Sequence, residues 1–170
     1  KYLFLDEVDK YPPAGQKEAD PISLAKERTK TFRGRKIYSC STPTVRTGHI
    51  WKMMQKSDVI KHYFVPCPHC GEYIELLMAH IKWPGKETGM SYADRAEQAF
   101  YCCQNCGAAI NDSDKPKMLQ KGEWRPVRES TKIARTVAFW INTLYSPFTT
   151  FSEIAKKFME SKDDPDQLHN

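Results

Sequence analysis

The chain has 170 residues, of which 40% are hydrophobic, 28% charged and 12% aromatic. That is enough apolar material for a packed core and too much for intrinsic disorder. Lys and Arg number 26 against 21 Asp and Glu, a net charge of +5, which permits a nucleic-acid partner without requiring one. No apolar run nears the roughly 20 residues a membrane helix needs. The apolar start gives way at once to Asp6 and Glu7, so a signal peptide is not expected either. Lys1 opens directly into a strand-like segment with no initiator Met, which reads as a piece of a longer protein.

In chain order, Tyr2-Leu3-Phe4-Leu5 is a continuous apolar run of the kind buried on both faces in a parallel sheet. Tyr11-Pro12-Pro13-Ala14-Gly15 is a turn by its Pro and Gly content. Asp20-Pro21 reads as a helix N-cap followed by Pro at the first helical position. Ile22, Ala25, Thr29 and Phe32 then form one helical face opposite Lys26, Glu27, Arg28 and Lys30, and Arg33-Gly34-Arg35 closes the helix. Ile37-Tyr38-Ser39-Cys40-Ser41 is a second buried strand, with Cys40 an ordinary buried thiol. Residues 2–44 thus read β-loop-α-β, the rhythm of a parallel α/β sheet.

Residues 49–56 form a further helix with Ile50, Met53 and Met54 on its inner side. Short β-like runs follow at Tyr63-Phe64-Val65, Tyr73-Ile74-Glu75-Leu76-Leu77 and Ala99-Phe100-Tyr101. The polar stretch 83–97, with Pro84-Gly85 and Gly89, is expected to be a mobile excursion between them. Residues 114–120 suit a short helix, 132–144 a strand, and 152–161 an amphipathic helix using Ile154, Phe158 and Met159. Asp163-Asp164-Pro165-Asp166 is linker-like.

Cys67-Pro68-His69-Cys70-Gly71 and Cys103-Gln104-Asn105-Cys106-Gly107 share the form C-x-x-C-G. Each turn points two thiolates at one centre, and two such turns complete a tetrahedral S4 site for structural Zn²⁺. The alternatives are a redox pair formed by the first knuckle alone and a set of disulfides. Cys102 is a spare thiol and an alternative ligand to Cys103, although the C-x-x-C spacing favours Cys103, and His69 is a surface residue of the knuckle rather than a further ligand.

Leu3-Phe4-Leu5-Asp6-Glu7 ends an apolar strand with two carboxylates. In nucleoside triphosphatases such an Asp holds Mg²⁺ and the next Glu accepts a proton from the attacking water. The bare pattern also fits a strand entering a solvated loop. Ser41-Thr42-Pro43-Thr44 lies one βαβ step later, where short hydroxyls can sense a γ-phosphate or simply cap a turn. The chain contains no G-x-x-x-x-G-K-[ST], hence no phosphate cradle, and by itself is not expected to hydrolyse ATP.

The order of these motifs resembles the large terminase subunit of tailed bacteriophages, in its lambda-type branch. The resemblance rests on Leu5-Asp6-Glu7-Val8-Asp9-Lys10-Tyr11-Pro12, Asp20-Pro21-Ile22, Arg28-Thr29-Lys30-Thr31-Phe32 and Ser41-Thr42-Pro43-Thr44. It continues through both knuckles, Gly122-Glu123-Trp124 and Leu144-Tyr145-Ser146-Pro147. It implies an α/β fold with a partial P-loop-type parallel sheet carrying a small, β-rich, zinc-ribbon-like insertion. Residues 1–60 would be the later half of an ATPase core, 61–112 the insertion, and 113–170 a return to the core and a linker toward a nuclease domain.

By the same resemblance Asp6 is the Walker B ligand for Mg²⁺ with ATP, Glu7 the catalytic base, and Ser41, Thr42 and Thr44 the coupling motif. Cys67, Cys70, Cys103 and Cys106 hold the metal. The implied activity is ATP-driven packaging of phage DNA into a procapsid, with an endonuclease further downstream. The implied partners are double-stranded DNA, the small terminase subunit, the portal and procapsid, and further copies of the chain, in the cytoplasm of a bacterial host. Lys26, Arg28, Lys30, Arg33, Arg35 and Lys36 are either DNA-phosphate contacts, the source of an arginine for a neighbouring subunit's ATP, or a solvated helix face. Two competing readings remain: a superfamily-2 helicase fragment, from Asp6-Glu7-Val8-Asp9, and a non-enzymatic zinc-ribbon binding module.

Overall fold

A computed structural model describes residues 1–12, 20–130 and 133–163. The expected turn residues Pro13-Ala14-Gly15, the start of the expected strand at Lys132, and Asp164-Pro165-Asp166 lie outside the described residues. Among the described residues the fold is mixed α/β, with one parallel strand pair, one mixed sheet and one antiparallel sheet. The chain forms two compact units, Lys1–Lys56 and a second that begins at Ser57.

In the first unit, β1 (Tyr2–Leu5) pairs in parallel with β2 (Lys36–Ser39), with Leu5 opposite Ser39. Between them lies α1 (Pro21–Glu27), capped as expected: the Asp20 carboxylate accepts from the Ser23 N–H and Pro21 stands in the first turn. A second helix, α2 (His49–Gln55), follows. Leu5, Val8 and Ile22 form the core, with Leu3, Ala25, Ile37, Ile50 and Met53 packed against it.

Three expectations for this unit need correction. The β1 run is buried on one face only: Tyr2 is 65% and Phe4 72% exposed, stacked beside Tyr38. Alternation of strand side chains puts Leu3 and Leu5 inward and these rings outward. Helix α1 ends at Glu27 rather than near Gly34, because its bonding tightens to i→i−3 there. The buried Thr29 hydroxyl takes the Lys26 carbonyl, which competes with a further helical turn. Cys40 is exposed just past β2 rather than buried within it.

In the second unit, β3 (Val59–Pro66) is the organising strand. One edge pairs antiparallel with β8 (Glu123–Arg128), and the other takes β9 (Val137–Trp140) in parallel and then β4 (Tyr73–Glu75) antiparallel. A three-stranded antiparallel sheet joins β5 (Ile81–Lys82), β6 (Phe100–Cys102) and β7 (Ala109–Ile110). Helix α4 (Lys115–Gln120) matches the expected short helix, and α5 (Phe151–Asp163) buries Phe151, Ala155 and Met159. One core spans Val65 to Met159, with the fully buried Tyr101, Leu76 and Ile110 near its centre.

The polar stretch 83–97 is folded rather than a mobile excursion. It contains α3 (Tyr92–Glu97), N-capped by Ser91, which packs on α5. Its Arg95 is buried and donates from Nε to the Pro84 carbonyl at 2.7 Å. The expected strand over 132–144 shortens to β9. Asp58 holds the Arg135 and Thr136 amides before it, and Asn142 caps a 3-10 turn (Thr143–Tyr145) after it.

Candidate functional site

Each cysteine knuckle is the turn of a β-hairpin: β3 leads into Cys67 and β4 leaves it, while β6 leads into Cys103 and β7 leaves it. The two turns have the same internal bonding. Gly71 N–H donates to the Cys67 carbonyl at 3.0 Å, and Gly107 N–H donates to the Cys103 carbonyl at 3.0 Å. Gly71 and Gly107 have φ of +76° and +72°, a left-handed conformation that side-chain-bearing residues adopt only at a cost. The repeated glycine in the sequence is therefore a backbone requirement of the turn.

The four sulfurs converge. Cys67 Sγ lies 3.9 Å from Cys106 Sγ, and Cys70 Sγ lies 4.0 Å from Cys103 Sγ. All four ligand atoms fall within 4.8 Å of one another. A tetrahedral ZnS4 centre with bonds of about 2.3 Å has edges of about 3.8 Å, so the cluster has the dimensions that such an ion needs. These separations are far beyond a disulfide bond of about 2.05 Å, and all six cysteines are free. Cys103 rather than Cys102 faces the cluster; the Cys102 thiol instead reaches the Gly107 carbonyl.

Cys67 and Cys103 are buried in the core, whereas Cys70 and Cys106 stand at the rim. Burial pushes the Cys67 thiol up to about 12. The Asn105 side-chain amide beside Cys70, joined by the Glu72 backbone N–H, pulls that thiol down to about 6. The hairpins are also cross-tied: His69 Nε2 sits 2.9 Å from the Ala109 carbonyl and Gln104 Nε2 2.6 Å from the Glu75 carbonyl. His69 is thus a strap at the surface of the knuckle. Asn105 and Gln104 carried no signal in the sequence beyond their place inside C-x-x-C.

The other candidate site is the end of β1. Asp6 and Glu7 are exposed. Asp6 Oδ1 accepts from the Glu7 N–H and from the Cys40 thiol, each at 3.1 Å. That contact with the Asp6 carboxylate raises the Cys40 thiol above its ordinary value. Glu7 has φ +48° and ψ +46°, the only non-glycine left-handed residue among those described. Strained backbone of this kind clusters at functional sites.

Parallel pairing brings the end of β2 beside the acidic pair: Cys40 N–H donates to the Leu5 carbonyl and Val8 N–H to the Cys40 carbonyl. The segment 41–44 therefore starts next to Asp6. Ser41 Oγ accepts from the Asp9 N–H at 3.1 Å and Thr44 N–H donates to the Asp9 carboxylate at 3.4 Å; Thr42 offers its carbonyl to Ser41. Asp9, which the sequence marked only as part of a motif string, is the residue that gathers this segment. Of the basic residues, Arg28, Lys30, Arg33, Arg35 and Lys36 are exposed and Lys26 half-buried. Lys30 pairs with Glu27, and Arg35 turns inward to the Lys26 carbonyl and Thr29.

Comparison with known proteins gives a consistent result. The family described as phage terminase large subunit gpA, ATPase domain, matches residues 1–124. The chain is 28% identical over 183 residues to the large terminase subunit of Enterobacteria phage P21, covering 96% of this chain and 27% of that protein. It is 29% identical over 177 residues to the large terminase subunit of Escherichia phage lambda, covering 94% of this chain and 27% of that protein. The chain therefore spans about a quarter of the length of these relatives. No solved structure matches.

Proposed function

Because this chain belongs to the gpA family of phage terminase large subunits, matching its ATPase domain over residues 1–124, we propose that it is part of a lambda-type DNA-packaging motor. On this reading the full-length protein couples ATP hydrolysis to translocation of phage DNA. Residues 1–60 belong to a P-loop-type ATPase core, 61–112 to a zinc-bearing insertion, and 113–170 to the return toward a downstream endonuclease. Its partners are double-stranded DNA, the small terminase subunit, the portal and procapsid, and further copies of itself, in the host cytoplasm. Among the described residues no helix is long and apolar enough to cross a membrane.

The observation that carries this reading is the placement of Asp6 and Glu7 at the exposed end of a parallel strand, beside the residue 41–44 segment. Asp6 is the residue that would hold Mg²⁺ with ATP; when bound, the ion neutralises phosphate charge. Its Oδ1 is held by the Glu7 N–H and the Cys40 thiol, which orients the carboxylate. Glu7, turned off the strand line by its left-handed backbone, accepts the proton of the attacking water. Ser41, Thr42 and Thr44 link that step to motion. The phosphate cradle is not in this sequence, so hydrolysis is assigned to the full-length protein and the isolated stretch is expected to be inactive.

Cys67, Cys70, Cys103 and Cys106 would hold Zn²⁺ as four thiolates. Four sulfurs leave no open position for a reactive ligand, which makes the centre a structural one. The nucleotide assignment is tested in full-length protein by Glu7→Gln. ATP binding should stay near normal while hydrolysis falls by roughly 10²–10⁴, the contribution of a positioned general base. Hydrolysis at the normal rate would reduce the acidic pair to a strand terminus.

A further inference from the structure

We propose that Asp9 is a positioning residue that transmits changes at the acidic pair to the segment 41–44 and to helix α2. The proposal rests on the ATPase reading above and goes beyond it by naming the element that carries the coupling.

Two separate pieces of chain, the segment 41–44 and the first turn of α2, converge on this one half-buried residue. Its N–H donates to Ser41 Oγ at 3.1 Å. Its Oδ2 accepts from the Thr44 N–H at 3.4 Å, and its Oδ1 accepts from the Ile50 N–H at 2.8 Å in the first turn of α2. The carboxylate thus stitches both ends of the segment 44–50 to the strand end that carries Asp6 and Glu7.

The start of α2 packs closely on it. A Cβ on Gly48 would lie 2.4 Å from Asp9 Oδ2 and 3.0 Å from its Cγ, so a side chain there would push the carboxylate from its present place. On the other side, Val8 is fully buried and its N–H donates to the Cys40 carbonyl at 3.2 Å. Asp9 is therefore clamped between a buried anchor and the start of α2.

The link to the chemistry is short. Glu7 lies two residues before Asp9, and its carbonyl accepts from the Lys10 N–H at 2.8 Å across the 3-10 turn (Val8–Lys10). Its left-handed backbone is a sparsely populated state that persists only while its surroundings hold it. A change in what the Glu7 side chain faces has a direct route through this turn to Asp9. From there it reaches Thr44 and Ile50 through hydrogen bonds to a single carboxylate. Ile50 and Met53 pack α2 on the same core as Leu5 and Val8, which ties the helix to the strand end as well.

The test uses full-length protein carrying Asp9→Asn or Gly48→Ala. An amide at position 9 retains one accepting oxygen where the carboxylate has two, so one of the Thr44 and Ile50 amides loses its partner. Gly48→Ala keeps the carboxylate but pushes it aside sterically, and carries the test if Asp9→Asn does not fold. Two quantities are read: ATP hydrolysis, and DNA packaged per ATP hydrolysed. Hydrolysis should stay within about threefold of normal while DNA packaged per ATP falls by about 5- to 150-fold, the usual size of coupling between sites. A merely structural role predicts that hydrolysis falls with packaging and the ratio holds; that result, or a normal ratio in both variants, overturns the proposal. Unmodified protein that binds no ATP overturns instead the ATPase reading on which it rests.

Discussion

Cys67 and Cys103 are nearly fully buried, their knuckles are cross-tied by His69 and Gln104, and their sulfurs face one another. Asp6 and Glu7 stand exposed at the end of β1, one held by a neighbouring thiol and the other in strained backbone. The first arrangement is complete within its own unit and has its partners in place. The second offers charged groups to solvent, with a half-buried carboxylate behind them reaching a helix. A closed centre of thiolates stabilises a fold, whereas an open pair of carboxylates beside a hydrogen-bonded relay suits turnover. On the function proposed above, the two units divide stability and chemistry between them.

The largest way to break this comparison is to remove the closed centre. Cys70→Ser should abolish the bound metal and unfold the unit beginning at Ser57, because structural zinc contributes apparent folding energy of about 10–16 kcal/mol in small domains. Purified protein should carry one Zn²⁺ per chain; well under one equivalent with intact free thiols would contradict the centre. On the open side, Asp6→Asn in full-length protein should weaken Mg²⁺-dependent nucleotide binding as well as turnover. The loss should be at least the roughly 10–100-fold that even an outer-shell partner of a metal costs. Equal affinity with and without the carboxylate would remove Asp6 from the nucleotide site.

Smaller effects sharpen the account of the closed unit. Tyr145 donates to the Tyr63 carbonyl and accepts from the Leu76 N–H in the buried core, and burial raises its hydroxyl well above the ordinary tyrosine value. Tyr145→Phe leaves both backbone groups without that partner and should cost about 1–3 kcal/mol in denaturant unfolding. Gly107→Ala forces a side chain into the left-handed turn and should cost about 1 kcal/mol, with the metal retained.

The smallest effect concerns Asp58, whose carboxylate is held below its ordinary value by the Thr136 hydroxyl and then by the Arg135 and Thr136 amides. A carboxylate with a depressed folded-state value stabilises above its unfolded value of 3.8, and that stabilisation is lost as pH falls through the folded value. The β3–β9 junction should therefore loosen in acid below the ordinary carboxylate range, and Asp58→Asn should show a smaller acid response there. An unchanged response would detach Asp58 from the junction.

The convergence of the four cysteines was legible because the C-x-x-C spacing and the following glycine are local requirements of one kind of turn. The α1 start was legible for the same reason, since Asp20 and Pro21 act within one helical turn. Asp9 was not, because its partners lie 32 to 41 positions away and only the parallel pairing of β1 with β2 brings them near. Strand β8 was hidden by Pro126, a residue that usually argues against a strand; the sheet accommodates it at a register shift opposite Ile60 and Lys61. The stretch 83–97 read as a polar loop, although Ser91 three residues before Asp94 is a helix-start signal. Its apolar debt is small, and the buried Arg95 that fixes it is a residue type rarely found inside. The expected segment 113–170 shares its core with the knuckles: Met118, Tyr145 and Phe151 belong to the same cluster as Cys67 and Cys103.

The division between the two units is tested most directly by hydrogen exchange on the metal-loaded protein before and after stripping the metal with a strong chelator. The Gly71, Leu76, Leu77 and Gly107 amides, which bond within the second unit, should lose protection. The Val8, Asp9, Cys40 and Ile50 amides, which bond within the first, should keep theirs. Equal loss in both groups, or retained protection around the knuckles, would contradict a metal centre that closes one unit and leaves the other free for chemistry.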